Sequence, residues 1–96
     1  MEYIKVHWIH NSPDYPVLLY SELDDMRFEV RKIEIFPDHS IGFAEGGSSY
    51  GGTELGKVSI PQIEEIASDK QFKPENISSE MFDLVWRNRF KKNLPD

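Results

Sequence analysis

The chain has no cysteine and no long apolar run. Without cysteine it cannot form a disulfide framework, a thiolate zinc site or a cysteine nucleophile, and it needs no oxidising compartment. No stretch approaches the roughly 18 apolar residues of a transmembrane helix. Residues 1–10 alternate in polarity, unlike the continuous apolar segment of a secretory signal. The composition therefore predicts a cytoplasmic protein that does not associate with membranes.

Basic residues are also few. The sequence carries 11 Lys and Arg against 17 Asp and Glu, which gives a net charge of −6. Four of those cations lie in residues 87–96, where they suit the negative end of a helix dipole. Since affinity for nucleic acids comes largely from Lys and Arg that displace counterions, this charge disfavours nucleic-acid binding.

The length of 96 residues is too short for a second hydrophobic core, so we expect one domain over residues 1–96. Six Phe, four Tyr and two Trp supply large side chains for that core. The order of patterns predicts strands over residues 1–44, a Gly-rich loop with a possible short strand over 45–58, and a helical part over 59–92.

Alternating polarity predicts four strands in residues 1–44. The third of them changes phase at Arg31 and Lys32, where a β-bulge would return its apolar residues to one face. Glu54–Val58 is the candidate for a fifth, short strand. The four predicted strands are Tyr3–His10, Pro16–Leu23, Arg27–Phe36 and Ile41–Ala44.

Two helices are predicted to follow the strands. Pro61 suits the first turn of a short helix that ends at Ala67, with Ser59 or Ile60 near its cap. Ser78 is the expected N-cap of a longer helix. Strands followed by helices indicate an α+β fold: an antiparallel meander of four to five strands, with one short and one longer C-terminal helix packed on one face.

The Gly-rich segment resembles a phosphate-binding loop. Residues 51–58 fit G-x-x-x-x-G-K-[ST] except that Val58 replaces the hydroxyl that would hold magnesium. Pro61 follows before a helix could present its N-terminus to phosphates. The segment is therefore more typical of a glycine turn, and we expect no nucleotide or other cofactor.

Three histidines could suggest a metal site, namely His7, His10 and His39. Residues three apart on a strand point to opposite faces, so His7 and His10 cannot converge on one ion without a bulge. We expect no metal, and a surface position for His7. His10 is expected to end the first strand with a hydrogen bond to a turn group such as Asp14.

Acid–base catalysis needs two carboxylates in different environments. Glu22, Asp24 and Asp25 cluster at a turn, where solvated turn formers are more typical than a catalytic pair. Ser48 and Ser49 do not lie in a G-x-S-x-G elbow. The sequence therefore supports no catalytic residue, although it does not exclude an enzyme.

The second face of the predicted sheet is a candidate interaction surface. If Ile4 and Val6 face the helices, then Tyr3, His7 and Tyr20 face outward. Aromatic side chains are enriched in protein interfaces. The alternative is that the glycine loop and residues 13–16 cover this face.

The chain resembles a family of small, uncharacterised bacterial domains that is described only as a domain of unknown function. The resemblance extends over nearly the whole chain and implies no activity, cofactor or catalytic residue. It rests on Tyr3–His10, Pro16–Glu22 with Asp25, Glu29–Phe36, Gly51–Gly56, Phe82, Leu84 and Trp86.

The acidic charge and the lack of a catalytic set favour a protein-binding module, in particular an immunity or antitoxin-like inhibitor of a basic toxin. One alternative is a small-molecule-binding protein or enzyme, with the Gly-rich loop as a lid and His7 or His10 as acid–base. A monomer or a small homo-oligomer joined by sheet edges is expected. The predicted partner-binding residues are Tyr20, Glu22, Asp24, Asp25, Glu45 and Tyr50.

Overall fold

The computed structural model describes residues 1–90 and contains a six-stranded antiparallel sheet with two helices. The α+β class is therefore confirmed, with one or two more strands than predicted. The elements are β1 Glu2–Trp8, β2 Leu18–Leu23, β3 Glu29–Ile35, β4 Ile41–Glu45, β5 Ser48–Tyr50, α1 Ile63–Ala67, β6 Phe72–Asn76 and α2 Ser79–Arg87.

The strand order across the sheet is β5-β4-β3-β2-β1-β6. The first four strands form the predicted meander, but the fifth strand does not lie at Glu54–Val58. It is β5, which pairs with β4 across the two-residue turn Gly46–Gly47. Gly47 has a φ of +84°, a conformation that favours glycine in tight hairpins. Part of the predicted Gly-rich loop is thus a β-hairpin.

The edge strand β6 interrupts the predicted helical part and was not predicted, because Pro74 in its centre argues against a strand. It pairs with β1, and Pro74 lies opposite Val6. The Ile77 N–H donates to the Tyr3 carbonyl at the end of this ladder. Since hydrogen-bonded pairs alternate in an antiparallel ladder, Pro74 occupies a non-hydrogen-bonded position, and its nitrogen points away from β1.

A register shift interrupts the pairing of β2 with β3. Glu22 lies opposite Arg31, whereas Leu23 lies opposite Glu29, so Val30 is the additional residue. The predicted bulge is present, but it lies just before Arg31 and not at Arg31–Lys32. The bulge leaves Glu29 and Lys32 on one face of the sheet and Arg31 on the other.

Both faces of the sheet are covered, and each has its own apolar cluster. We call them the α2 face and the α1 face after the helix that packs on each. The prediction that both helices pack on one face is wrong, because alternate residues of β1 and β2 contact different helices. The α2 face buries Tyr20, Ile33, Ile35, Phe43, Phe82 and Val85, and the α1 face buries Ile4, Val6 and Leu23.

The two helices differ in length and in capping. The predicted N-cap of α2 is confirmed, since the Ser78 hydroxyl accepts from the Met81 N–H at 3.0 Å. The N-cap of α1 is Gln62, without a side-chain cap, so the helix begins after the predicted Ser59 or Ile60. Residues 91 and 92, the end of the predicted helical part, lie outside the described residues. Neither described helix has the length and apolarity that crossing a bilayer would require.

Candidate functional site

Two of the predicted partner-binding residues belong to the interior. Tyr20 is 0% exposed in the centre of the α2 face, and Glu22 is 6% exposed beside it. The expectation that Tyr20 faces a partner is therefore wrong, because α2 covers the face that was predicted to be open. Glu22 is likewise unavailable to a partner.

Glu22 forms a bidentate ion pair with Arg31. Arg31 Nε donates to one carboxylate oxygen at 2.6 Å, and Nη2 donates to the other at 3.0 Å. Nη2 also lies 3.1 Å from Oδ1 of Asp83 on α2. The guanidinium stacks 4.8 Å from the Phe82 ring centroid and 5.1 Å from that of Trp86. This cluster joins the sheet to α2, which is a structural role.

The ionisation of this cluster follows from its hydrogen bonds. Donation from Arg31, with a second bond from Tyr3, lowers the pKa of the Glu22 carboxyl below its usual range. The same carboxylate accepts from Tyr3 and, together with burial, raises the pKa of that phenol. Glu22 is thus held as a carboxylate, whereas a general acid would need a raised pKa.

Asp24 and Asp25 lie in the β2–β3 turn. Asp24 Oδ1 accepts from the N–H groups of Met26 and Phe28, both at 2.9 Å, so Asp24 is a turn former. Asp25 is exposed. Arg27 donates to two backbone carbonyls of the segment before α1, those of Ile60 at 2.9 Å and Pro61 at 2.7 Å. Its guanidinium also forms an ion pair with Glu2. These bonds bring the acidic turn to the border of the α1 face.

Glu45 and Tyr50 lie on the β4–β5 hairpin, at the opposite side of the sheet. Tyr50 is 58% exposed and stacks on Phe43 with ring centroids 5.2 Å apart. Glu45 is partly exposed and lies opposite Arg31 in the β3–β4 register. The six predicted residues therefore occupy three separate places, and they do not form one surface.

An elongated apolar cleft of about 440 Å³ lies on the α1 face. This volume is in the range of ligand sites, which usually combine an apolar lining with a few convergent polar groups. The sheet forms the floor, and α1 and the chain from Gly56 to Pro61 form the walls. The lining residues are Ile4, Val6, Leu19, Ser21, Glu29, Lys32, Gly56, Val58, Ile60, Pro61, Glu65, Ile66, Asp69 and Phe72.

The polar end of the cleft is centred on Glu29, which is buried. Its carboxylate accepts from the Ser21 hydroxyl at 3.1 Å and from the Gly56 N–H at 2.7 Å. Lys32 Nζ lies 3.4 Å from Glu29 Oε1 and 3.9 Å from Glu34 Oε2. The only cation that lines the cleft among the described residues is therefore paired with two carboxylates.

The other end of the cleft is bordered by Glu65 and Asp69, both exposed. Glu65 lies on α1 and Asp69 lies two residues after its end, on either side of Ile66 in the sequence; Ile66 packs on the core of the α1 face. Neither residue was predicted from the sequence to have a functional role, because the cleft depends on contacts between residues that are distant in the sequence.

The Gly-rich segment is anchored after β5. The buried Thr53 hydroxyl donates to Glu34 Oε1 at 2.7 Å. Gly42 permits this close approach, because a Cβ there would lie 2.0 Å from Thr53 Oγ1. The chain then continues to Gly56 and forms a wall of the cleft. The helix that a phosphate-binding loop needs does not directly follow Lys57, since α1 begins at Ile63.

The histidines do not assemble a site among residues 1–90, where no three metal-ligating side chains converge. His10 Nδ1 accepts from the Ser12 N–H at 3.0 Å, so Nε2 carries the proton that is donated to the Pro16 carbonyl at 2.8 Å. His10 thus closes the β1–β2 loop, with partners other than the expected Asp14. Its ring also packs 4.7 Å from that of Trp8.

The family described as "Domain of unknown function (DUF6881)" matches residues 2–91. No curated protein and no solved structure matches the chain.

Proposed function

Since the chain belongs to the DUF6881 family, whose function is unknown, we propose a function from the chain's own surface. The protein is a stoichiometric binding module that docks through acidic side chains on a basic protein, in the manner of an immunity or antitoxin protein and its toxin. The observation that carries this proposal is the excess of acidic side chains that form no ion pair within residues 1–90.

An excess of acidic side chains remains after the internal ion pairs of residues 1–90 are counted. Residues 1–90 hold 16 acidic and nine basic side chains, and the ion pairs use five of the former and three of the latter. Eleven acidic side chains against six basic ones remain outside ion pairs in this part of the chain. Such a surface attracts a cationic protein at long range and speeds its association.

The acidic residues that suit docking best border the α1 face. Asp25 in the β2–β3 turn and Glu64 on α1 are both exposed. Met26, next to Asp25 in the chain, is 71% exposed, and Val58, which lines the cleft on the α1 face, is 74% exposed. Apolar groups bordered by charge are typical of protein interfaces. Of the six partner-binding residues predicted from the sequence, Asp24 and Asp25 therefore remain in the proposed docking surface, and Glu64 is added to it.

The proposal is tested with the products of genes that neighbour the one encoding this chain. Each is co-expressed with the protein, and the Kd of any complex is measured by calorimetry at low and high salt. We expect a stable complex with a basic partner whose Kd weakens about tenfold between roughly 0.05 and 0.5 M salt.

A pair of double variants with equal charge locates the docking surface. We expect Asp25→Asn with Glu64→Gln to weaken the complex about fivefold, since two long-range attractions are lost. Asp14→Asn with Glu75→Gln removes the same charge from exposed positions elsewhere and should leave the Kd almost unchanged. A complex that is indifferent to salt, or two variants with equal effects, would refute electrostatic docking at this surface.

A second candidate function is binding of a small molecule, and the cleft on the α1 face is the observation that favours it. The segment from Gly56 to Pro61 borders this cleft and would act as its cover. His7 and His10 do not line the cleft, so neither is proposed as an acid–base group for a ligand bound there. A rise in melting temperature with a metabolite would support this function, because ligands that bind only the native state stabilise it.

A further inference from the structure

The shape of the cleft on the α1 face suits an elongated ligand. Its floor extends from Lys32 on β3 across Leu19 on β2 and Val6 on β1 to Phe72 on β6. Neighbouring strands lie about 4.8 Å apart, so three spacings give a floor of roughly 14 Å. The middle of this floor is aliphatic, and the polar groups lie near its two ends.

The lining of the cleft has a net negative charge, which lies at one end. At the β3 end, Glu29 is paired with Lys32, so the two lining charges balance. At the α1 end, Glu65 and Asp69 have no cation within ion-pair distance among the described residues. Asp69 Oδ1 accepts from the Gln71 N–H at 3.0 Å, which fixes the carboxylate at the end of the helix.

We propose that this cleft binds a small amphipathic amine. The apolar part of the ligand lies along Val6, Leu19 and Ile66, and its ammonium group lies between Glu65 and Asp69. An anionic ligand of the same shape would face the carboxylates of Glu65 and Asp69 at one end and would find Lys32 already paired at the other, and a neutral ligand would gain only apolar burial. The inference rests on the second candidate function, small-molecule binding, and names its ligand class.

Exposed apolar surface at the cleft supports the apolar part of the proposed ligand. Val58 lines the cleft and is 74% exposed, although the neighbouring Ile60 is partly buried against the α1-face core. An apolar chain in the cleft would cover Val58 and remove that surface from water.

The test compares three probes that share an octyl chain: octylammonium, octanol and octanoate. Each is titrated into the isotope-labelled protein, the two ionic probes below their micelle concentrations and octanol below its solubility limit, and amide shifts are followed by NMR. We expect octylammonium to bind with a Kd of about 1 mM and to shift the amides of Val58 and Ile66. Octanol should bind about tenfold more weakly, and octanoate more weakly still.

Two double variants separate head-group recognition from apolar binding. Glu65→Gln with Asp69→Asn keeps the side-chain volume and the Asp69 acceptor, so it should fold, and it should bring octylammonium down to the affinity of octanol. Asp14→Asn with Glu75→Gln removes the same charge away from the cleft and should keep the tenfold preference. The spectra of the free variants check that each is folded.

The outcomes distinguish this inference from the function on which it rests. If no probe shifts the cleft residues, small-molecule binding at this site is overturned together with the ligand class. If the three probes bind equally, the cleft binds apolar ligands but the amine assignment is wrong. If the amine preference survives Glu65→Gln with Asp69→Asn, the ammonium position is wrong, and the proposal fails in that form.

Discussion

The two faces of the sheet are built differently from the same strands. On the α2 face, Tyr20, Ile33, Phe82 and Val85 are all 0% exposed. On the α1 face the helix buries none of its residues completely, and a cleft of about 440 Å³ remains between it and the sheet. A single sheet can thus place most of its packing on one side and leave room for binding on the other.

The difference follows from the two helices. The nine-residue helix α2 has a side-chain N-cap and an apolar stripe that includes Phe82 and Val85. The five-residue helix α1 has no side-chain cap and is little longer than one turn. Because a short helix gains little from its own hydrogen bonds, α1 depends on its contacts with the sheet and on Phe72 of β6.

The largest expected effect comes from the α2 face. Phe82→Ala removes a fully buried ring and leaves a cavity, so we expect it to lower the free energy of unfolding by about 4 kcal/mol. Urea denaturation followed by circular dichroism measures this change. Leu84→Ala on the same helix is the control, since Leu84 is 38% exposed and should cost about 1 kcal/mol or less. Equal losses for the two variants would contradict the assignment of the core.

An intermediate effect is expected from the buried ion pair. Glu22→Gln keeps the side-chain size but leaves Arg31 with Asp83 as its one charged partner among residues 1–90, so we expect a loss of about 2 kcal/mol at neutral pH. The exposed Glu75→Gln is the matched control and should change stability very little.

The same variant has a characteristic pH dependence. The lowered pKa of Glu22 means that its stabilisation is present above the unfolded glutamate pKa of about 4.3 and is lost as the pH falls through the lower folded value. The difference between wild type and Glu22→Gln should therefore shrink in acid. The raised pKa of Tyr3 acts in the opposite sense, so its stabilisation is present below the unfolded tyrosine pKa of about 10 and is lost as the pH rises through the higher folded value. A constant difference in acid would show that Glu22 does not stabilise the fold as a carboxylate.

The smallest effect is expected on the α1 face. Ile66→Ala truncates a half-buried wall of the cleft and improves helix propensity, so the loss should be about 1 kcal/mol. Urea denaturation compares it directly with Phe82→Ala. If Ile66→Ala were as destabilising as Phe82→Ala, the contrast between the two faces would not hold.

The sequence predicted the elements with local signals. The first four strands follow from alternating polarity, and the N-cap of α2 follows from the hydroxyl residue Ser78 just before the apolar stripe that begins at Phe82. The strand β6 was not predicted because Pro74 is a local signal against a strand. A proline is tolerated at this position only because its nitrogen points away from β1, which depends on the pairing in the folded sheet. The β-bulge was predicted within about one residue, since phase changes locate a bulge only approximately.

The assignment of faces could not be predicted in the same way. Both sets of alternate residues in β1 are partly apolar: Tyr3 packs on Phe82, and Val6 packs on the side of α1. Alternation then fixes which residues share a face but not what covers it. Asp25 could be proposed as a docking residue from its turn alone, whereas the cleft requires α1, Gly56 and four strands to come together in space.

Pro74 has a consequence for the behaviour of the protein at high concentration. Edge strands offer unpaired N–H groups on which a strand of another molecule can align, and this is a route to fibrous assembly. The nitrogen of Pro74 points toward that open side and carries no hydrogen, so the row of donors is broken at its centre. The opposite border of the sheet, β5, has three residues. Both borders are thus poor templates for strand addition.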